Sequence, residues 1–302
     1  MKRYLPALLA VVPAPALAQV SVGDVLTNTA ESMYGFPDFV SHMCYGSGLV
    51  LATSAVFKLK EHVNNVDKGG AQIPLRDPIM RSLAAGGFFT APFMAEVVTN
   101  SMFYGADPIS ATGWNMNAQA SGSGLDAMLV RIMSDVSGPA ELLLTVFAYI
   151  AALGFLSVGM GRLARAQETG PRGPSGFGTT MTFLVSGALF SYGPMMGVFA
   201  TSLFGDAELA TRPTIADDLG IDRSSAASIE TVIQSVLAFV MIVGMIAFVR
   251  GWFVLRNWAE GQGGATMAQG LTFLFGGALA INLGELINAV QETIDVTGVT
   301  FI

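Results

Sequence analysis

The feature that most constrains this chain is a series of six intervals almost free of charge, each long enough for a helix to cross a bilayer. Phe39 to Phe57 contains no Asp, Glu, Lys or Arg, and Ser82 to Ala106 is interrupted only by Glu96. Leu142 to Gly161, Gly173 to Gly205, Thr231 to Val249 and Gly261 to Gly284 complete the series, all uncharged. A bilayer core takes about 20 apolar residues in helical form. Only 12% of the 302 residues are charged and the mean hydropathy is +0.56. Soluble domains carry about a quarter charged residues. The pattern predicts an all-α integral membrane protein with six transmembrane helices.

The charges between the intervals predict how those helices are arranged. Lys58, Lys60, Lys68, Arg76 and Arg81 follow the first interval; Arg162, Arg165 and Arg172 follow the third; Arg250 and Arg256 follow the fifth. The alternate connections hold only Arg131, Arg212 and Arg223 among many acids, including Asp107, Asp126, Asp135, Asp206, Asp217 and Asp218. Cytoplasmic loops carry the excess of Lys and Arg. The expected chain is therefore three tandem helical hairpins with basic cytoplasmic turns. The hairpins cover 38–104, 139–204 and 229–302, separated by periplasmic loops at 105–138 and 205–228. Gly138-Pro139-Ala140-Glu141 looks like a helix start, with proline at the first helical position and an acid near the positive end.

Residues 1–18 have the form of an export signal. Lys2 and Arg3 precede the short apolar stretch "YLPALLAVVPAPALA", and Ala16-Leu17-Ala18 is the small-x-small pattern of a cleavage site. Cleavage after Ala18 leaves a periplasmic segment at 19–37 and puts both mature termini in the periplasm. The expected location is a bacterial inner membrane.

Two phrases show internal repetition. "TFLVSGAL" begins at Thr182 and "TFLFGGAL" at Thr272, ninety residues later, and "SLAAGGFF" at Ser82 matches both by residue class. The repeated unit is a hairpin, and its return helix carries small residues spaced four apart. Gly87, Ala91 and Ala95 form one such row, Gly187 and Ser191 a second, and Gly276, Ala280 and Gly284 a third, with Gly277 beside it. Rows of this kind let helix backbones approach closely in lipid. They suit packing inside the chain, contact with other subunits, or a homo-oligomer.

Glu96 and Glu285 are the acids that fall at the ends of predicted spans, and intramembrane acids suggest ion or proton sites. Asn282, one turn before Glu285, is placed to share a hydrogen bond with it. Pro92 and Pro194 predict kinks in the second and fourth spans. No metal or cofactor is expected. His42 and His62 belong to opposite ends of the first span, and Cys44 is the single cysteine. No Ser-His-Asp, HExxH, CxxC or P-loop pattern occurs, so an enzyme is not predicted. No basic stretch is long enough to neutralise several phosphates, so direct nucleic-acid binding is not predicted either.

One stretch is more specific. "AVFKLKEHVNNVDKGGAQIPLRDPIMRSLAAGGFFTAPFM" resembles the hairpin of small inner-membrane proteins of type IVB secretion, the IcmC/DotE and IcmD/DotP group, and of their conjugal-transfer relatives. The resemblance rests on Phe57-Lys58-Leu59-Lys60-Glu61-His62, then Asn64 and Asn65, then Gln72-Ile73-Pro74-Leu75. Gly86-Gly87 and Pro92 follow in the second helix. It covers residues 45–97, and the later hairpins lack the Asn and Pro-Leu signature. It implies a non-enzymatic subunit of an envelope-spanning translocation machine, with other membrane subunits as partners. Lys58, Lys60 and His62 would then be the cytoplasmic contact. The competing expectation is a small-solute or ion transporter working through Glu96 and Glu285.

Overall fold

The computed structural model describes residues 22–33, 35–68, 75–102, 124–165, 170–204, 212–215, 220–295 and 298–301. The export signal at 1–18 lies outside them, as does most of the loop at 105–138. The chain is mostly helical: α1 (Val22–Met33), α2 (Gly35–Lys68), α3 (Arg76–Met102), α4 (Leu125–Leu163), α5 (Phe177–Phe190), α6 (Tyr192–Phe204), α7 (Arg223–Ala259), α8 (Met267–Ile281) and α9 (Leu283–Thr293). Two short strands, β1 (Pro213–Ile215) and β2 (Val299–Phe301), pair antiparallel with Pro213 opposite Phe301.

Three helical segments are long and apolar enough to cross a membrane: Phe39–Asn64, Ala127–Leu163 and Arg223–Ala259. The number becomes five if each of two bent pairs is one span. Those pairs are α5 with α6, bent by 85°, and α8 with α9, bent by 79°. The fourth and sixth intervals are thus broken rods, not the straight helices expected. α3 is not among these segments. Gly, Ala, Ser, Thr and Pro dilute its apolar content, and it runs unbroken through Pro92.

Two helices begin earlier than expected. α4 starts at Leu125 and passes through Pro139, so Pro139 is inside the helix and not at its first turn. Pro139 has no N–H, which leaves the carbonyl of Asp135, four residues back, without its helical donor. Gly23 of α1 lies against that carbonyl: a Cβ at Gly23 would stand 2.5 Å from the Asp135 oxygen. The segment expected as a loop up to residue 138 is therefore, from Leu125 onward, a helix covered by α1. α7 likewise starts at Arg223, eight residues before the uncharged interval at Thr231.

α2 packs on α3, α4 on α5 and α7 on α8, and α5 lies between α4 and α7. The core runs through these contacts from Cys44 and Phe88 through Leu153, Val185 and Leu189 to Met245 and Phe248. Cys44 is buried, with its Sγ 3.4 Å from Ser157 Oγ. Large apolar side chains also cover the outside, including Leu49, Val50 and Phe57 on α2 and Phe239 and Ile246 on α7. In water such a perimeter would be costly; in lipid it is the expected solvent-facing surface.

At one end of α7 a small sheet is tied down by side chains. Asn288 of α9 donates to the Phe301 carbonyl (2.7 Å) and accepts from the Phe301 N–H (2.9 Å). Gln291 donates to the Val299 carbonyl at 2.7 Å, and Glu230 of α7 accepts from the Ile215 N–H at 2.8 Å. Both outer edges of the two-stranded sheet thus have partners, which a lone ribbon needs for stability. β1, which lies between α6 and α7, and β2 are thereby held beside α7 and α9.

Candidate functional site

Two buried polar sites stand out, at opposite ends of α5. The first is centred on Glu260, the residue that ends α7 and whose N–H donates back to the Arg256 carbonyl at 3.0 Å. Its side chain is only 2% exposed. Glu260 Oε1 accepts from Arg162 Nη2 of α4 at 2.7 Å and from Arg256 Nη2 of α7 at 2.6 Å. Oε2 accepts from Gln262 Nε2 at 3.0 Å and pairs with the more exposed Arg172 at 3.4 Å. Arg162 also donates to Thr182 Oγ1 of α5 at 3.1 Å, and that hydroxyl donates to the Gly178 carbonyl at 2.7 Å. The Arg256 guanidinium lies 4.5 Å from the centroid of the Phe155 ring.

One carboxylate therefore joins α4, α5, α7 and the 163–177 connection. Burial pushes the Glu260 carboxyl up. The Arg162 hydrogen bond, the Arg256 charge and the Gln262 bond outweigh it and hold the group below its ordinary value. A buried pair of this kind is worth most through what its disruption exposes: removing one partner leaves the other charged and unpaired.

The second site surrounds the breaks. α5 ends at Ser191 and α8 at Asn282. Both residues are buried, and so is Tyr192, which opens α6. Asn282 uses its amide on the Ala278 carbonyl at 2.8 Å, so the expected link to Glu285 is not made. Ser191 Oγ, the Tyr192 hydroxyl, Asn282 Oδ1 and Ser137 Oγ of α4 are buried without a hydrogen-bond partner among the described residues. Glu141, one turn after Ser137, is 2% exposed. Thr145 donates to the Glu141 carbonyl at 3.0 Å.

The small residues predicted for packing divide between these environments. Gly277 is buried against α7, where a Cβ would meet the Gly244 oxygen and the Phe248 nitrogen, both at 2.7 Å. Gly276 is exposed with nothing within 4 Å of that position, so its expected packing role is not found inside the chain. A one-residue step turns a helix by about 100°, which separates the two faces. Gly87 faces the tip of Met160 on α4, and Ala91 is buried. Gly187 and Ala280 are half-buried, and Gly284 is buried in α9. The row Gly276–Ala280–Gly284 is not one ridge, because the break at Asn282 cuts it; Ser191 likewise ends the row from Gly187.

Glu285 is half-buried in the first turn of α9, where an acid suits the positive helix end. The side chains of Ala95 and Glu96 lie outside the described residues. Lys58 pairs with Glu61 at 2.9 Å on the exposed surface of α2; Lys60 is exposed and His62 half-buried. Among the described residues no group of three His, Cys, Asp or Glu is placed to hold a metal. Among the described residues the acids buried most are Glu141 and Glu260, neither of which is one of the two singled out in the sequence. Glu141 reads there as part of a helix start, and Glu260 is not singled out at all. The usable signal was Arg256 four residues before Glu260, an i,i+4 pair beside an apolar run.

Compared with known proteins, the chain matches no family model, no curated protein and no solved structure.

Proposed function

We propose that this chain is a non-enzymatic, multi-pass inner-membrane subunit of a type IVB secretion or conjugative DNA-transfer apparatus, acting by assembly with partner subunits. The observation that carries this reading is how unevenly the chain covers its own spans. The Phe39–Asn64 window is 17% buried inside the molecule, against 39% and 44% for the other two long spans. Leu49, Val50, Val56 and Phe57 all face outward on it. This is the helix that carries the secretion resemblance and ends in Lys58, Lys60 and His62. A helix so little covered by its own chain has a free face for a neighbouring subunit.

The reading includes six crossings, with α3 as the second and the bent pairs as the fourth and sixth. The export signal is cleaved, and both mature termini are periplasmic. Positive-inside charge supports that orientation. Alkaline phosphatase fused near residues 120 and 215 is expected to be active, and inactive near 68 and 170; the reverse pattern defeats the orientation. The assembly reading is tested by photo-crosslinking from positions 50 and 57 in cells, alongside deletion of the gene. Adducts to another membrane subunit and loss of substrate transfer are expected. Lipid adducts alone, with transfer intact, would sink it.

A second reading, a small-solute or ion transporter using Glu96 and Glu285, draws support from the two broken helices, a form that transporters use to line binding sites. Its test is flux in proteoliposomes bearing Glu96→Gln and Glu285→Gln. Flux that survives both substitutions, or that is absent from the unmodified chain, removes this reading.

A further inference from the structure

The Glu260 junction gathers more positive charge than its carboxylate can match. Arg162, Arg172 and Arg256 all pair with Glu260, and among the described residues they pair with no other acid. The segments 162–172 and 256–260 add Arg165 and Glu168 to the count, so four arginines stand against two glutamates. Glu168 lies outside the described residues, but wherever it sits two guanidinium charges remain in excess at this corner. The Arg162 and Arg256 side chains are only 11% and 15% exposed. Like charges held with so little water repel one another, and an anion from outside offsets that cost.

Donors remain for such an anion. Arg256 engages Glu260 through Nη2, and its buried Nε has no partner among the described residues. Arg172 gives Glu260 only its Nε, at 3.4 Å, and is 57% exposed, which leaves both Nη groups of its fork for another acceptor. A guanidinium fork matches two oxygens of one phosphate group. Although exposed, Arg172 stands on a tightly bonded turn. The Gly173 N–H donates to the Gly170 carbonyl at 3.0 Å, and the Gly173 carbonyl accepts from the Gly176 N–H at 3.0 Å and from Thr179 Oγ1 at 2.8 Å. Gly178, at the start of α5, closes on this turn and on the junction together: a Cβ there would stand 2.7 Å from the Pro171 oxygen and 3.1 Å from Glu260 Cγ.

The neighbouring side chains say which phosphate fits. Phe177, one residue before Gly178, is 56% exposed, and its ring meets Trp258 edge-on at 5.7 Å between centroids. An exposed apolar ring offers nothing to a free phosphate ion, but it suits the glycerol and upper acyl chain of a lipid. Tryptophan collects at headgroup level in membranes, and basic pockets between membrane helices take anionic headgroups.

We propose that Arg172, backed by Arg162 and Arg256 and flanked by Phe177 and Trp258, forms a binding site for the phosphate headgroup of one anionic phospholipid. The bound phosphate balances the arginine excess that Glu260 leaves and ties the 163–177 connection to the end of α7. The site stands apart from the assembly role, because it concerns what the purified chain binds whatever it assembles with.

The test is thermal unfolding of the delipidated full-length protein in a neutral detergent at constant ionic strength, paired with native mass spectrometry to count retained lipid. Phosphatidylglycerol, phosphatidylcholine and inorganic phosphate are added in separate arms. Phosphatidylglycerol is expected to raise the melting temperature saturably by a few degrees, with one lipid retained per chain, and the other two to leave it unchanged. Arg172→Ala leaves Glu260 paired with two arginines, so the fold persists, and is expected to raise the half-saturating phosphatidylglycerol concentration about tenfold. Phe177→Ala is expected to weaken binding by a smaller factor. Arg223→Ala, at the opposite end of α7, should respond as the unmodified chain does. A shift produced equally by phosphatidylcholine overturns the proposal. A full shift with inorganic phosphate alone shows an ion site and overturns the lipid. If Arg172→Ala lowers the melting temperature but keeps the whole phosphatidylglycerol response, Arg172 serves only its bond to Glu260 and the site is wrong.

Discussion

α5 and α8 share most of an octapeptide and live in different surroundings. α5 lies between α4 and α7, so it is buried on several sides; α8 packs mainly on α7 and leaves Met267, Phe275 and Gly276 on the outside. Thr182 is fully buried and accepts a hydrogen bond from Arg162, whereas the matching Thr272 is exposed and donates to the Ala268 carbonyl within its own helix at 2.9 Å. Ser186 reaches across to the Ala152 carbonyl of α4 at 2.8 Å. A Cβ at its counterpart Gly276 would meet nothing within 4 Å, and the neighbouring Gly277 makes the close contact instead. Near-identical sequence therefore fixes the length of the helix and its breakpoint, but not the face it buries. That face is set by what stands on either side.

The comparison can be broken most decisively at Glu260. Its removal from the α4–α5–α7 junction leaves Arg162 and Arg256 buried and unpaired, and Glu260→Ala is expected to cost about 3–5 kcal/mol in unfolding experiments in detergent. The α7–α8 contact offers a control: Arg250→Ala removes only an exposed guanidinium of α7, 4.7 Å from the Phe273 ring centroid of α8, and should shift stability far less. The pH dependence has a definite sign. Because Glu260 titrates lower in the folded chain than when unfolded, its contribution is complete above the unfolded value. It disappears as pH falls through the depressed one. Glu260→Gln should flatten that acid limb of a melting-temperature profile; an unchanged limb would assign it to other carboxyls.

A smaller effect separates Gly277 from Gly276. A methyl at Gly277 presses on backbone atoms of α7, which cannot swing aside as a side chain can. Gly277→Ala is expected to destabilise by about 1–3 kcal/mol by overpacking, and Gly276→Ala to be neutral or slightly stabilising. Equal responses would mean that the register of α8 on α7 is different. A difference of similar size is expected between the threonines. Thr182→Val loses a hydrogen bond to a charged group, about 1.5–3 kcal/mol at most and less if Arg162 turns fully to Glu260. Thr272→Val should be close to silent.

The uncharged intervals made the helical class legible, because an apolar run of that length has few other uses. Pro194 made a bend in the fourth span legible, and the 85° break falls at Ser191, in the turn before it. The break at Asn282 was not legible, because Asn282 is an ordinary residue in an apolar run with no proline near it. Sequence also placed the start of α4 at Pro139 by a sound local rule. Tertiary packing of Gly23 on the freed Asp135 carbonyl lets the helix run through. Arg162 and Arg256 were counted by sign, as guides to orientation, and a count carries no direction. That both converge on one carboxylate depends on three helices ending at the same place.

The right-angle breaks also give the molecule an uneven hydrophobic height. The upright parts of α5 and α8 have 14 and 15 residues. At ~1.5 Å per residue they rise only ~21–22 Å, less than the ~30 Å of hydrocarbon in a typical bilayer. α5 packs on both α4 and α7, whereas α8 packs mainly on α7. If, as proposed, the α8–α9 pair is a crossing, lipid beside α8 would have to compress where lipid beside the longer α2 and α4 would not. Bilayers of shorter acyl chains would relieve that deformation, and a thicker membrane would favour a neighbour that covers the short side.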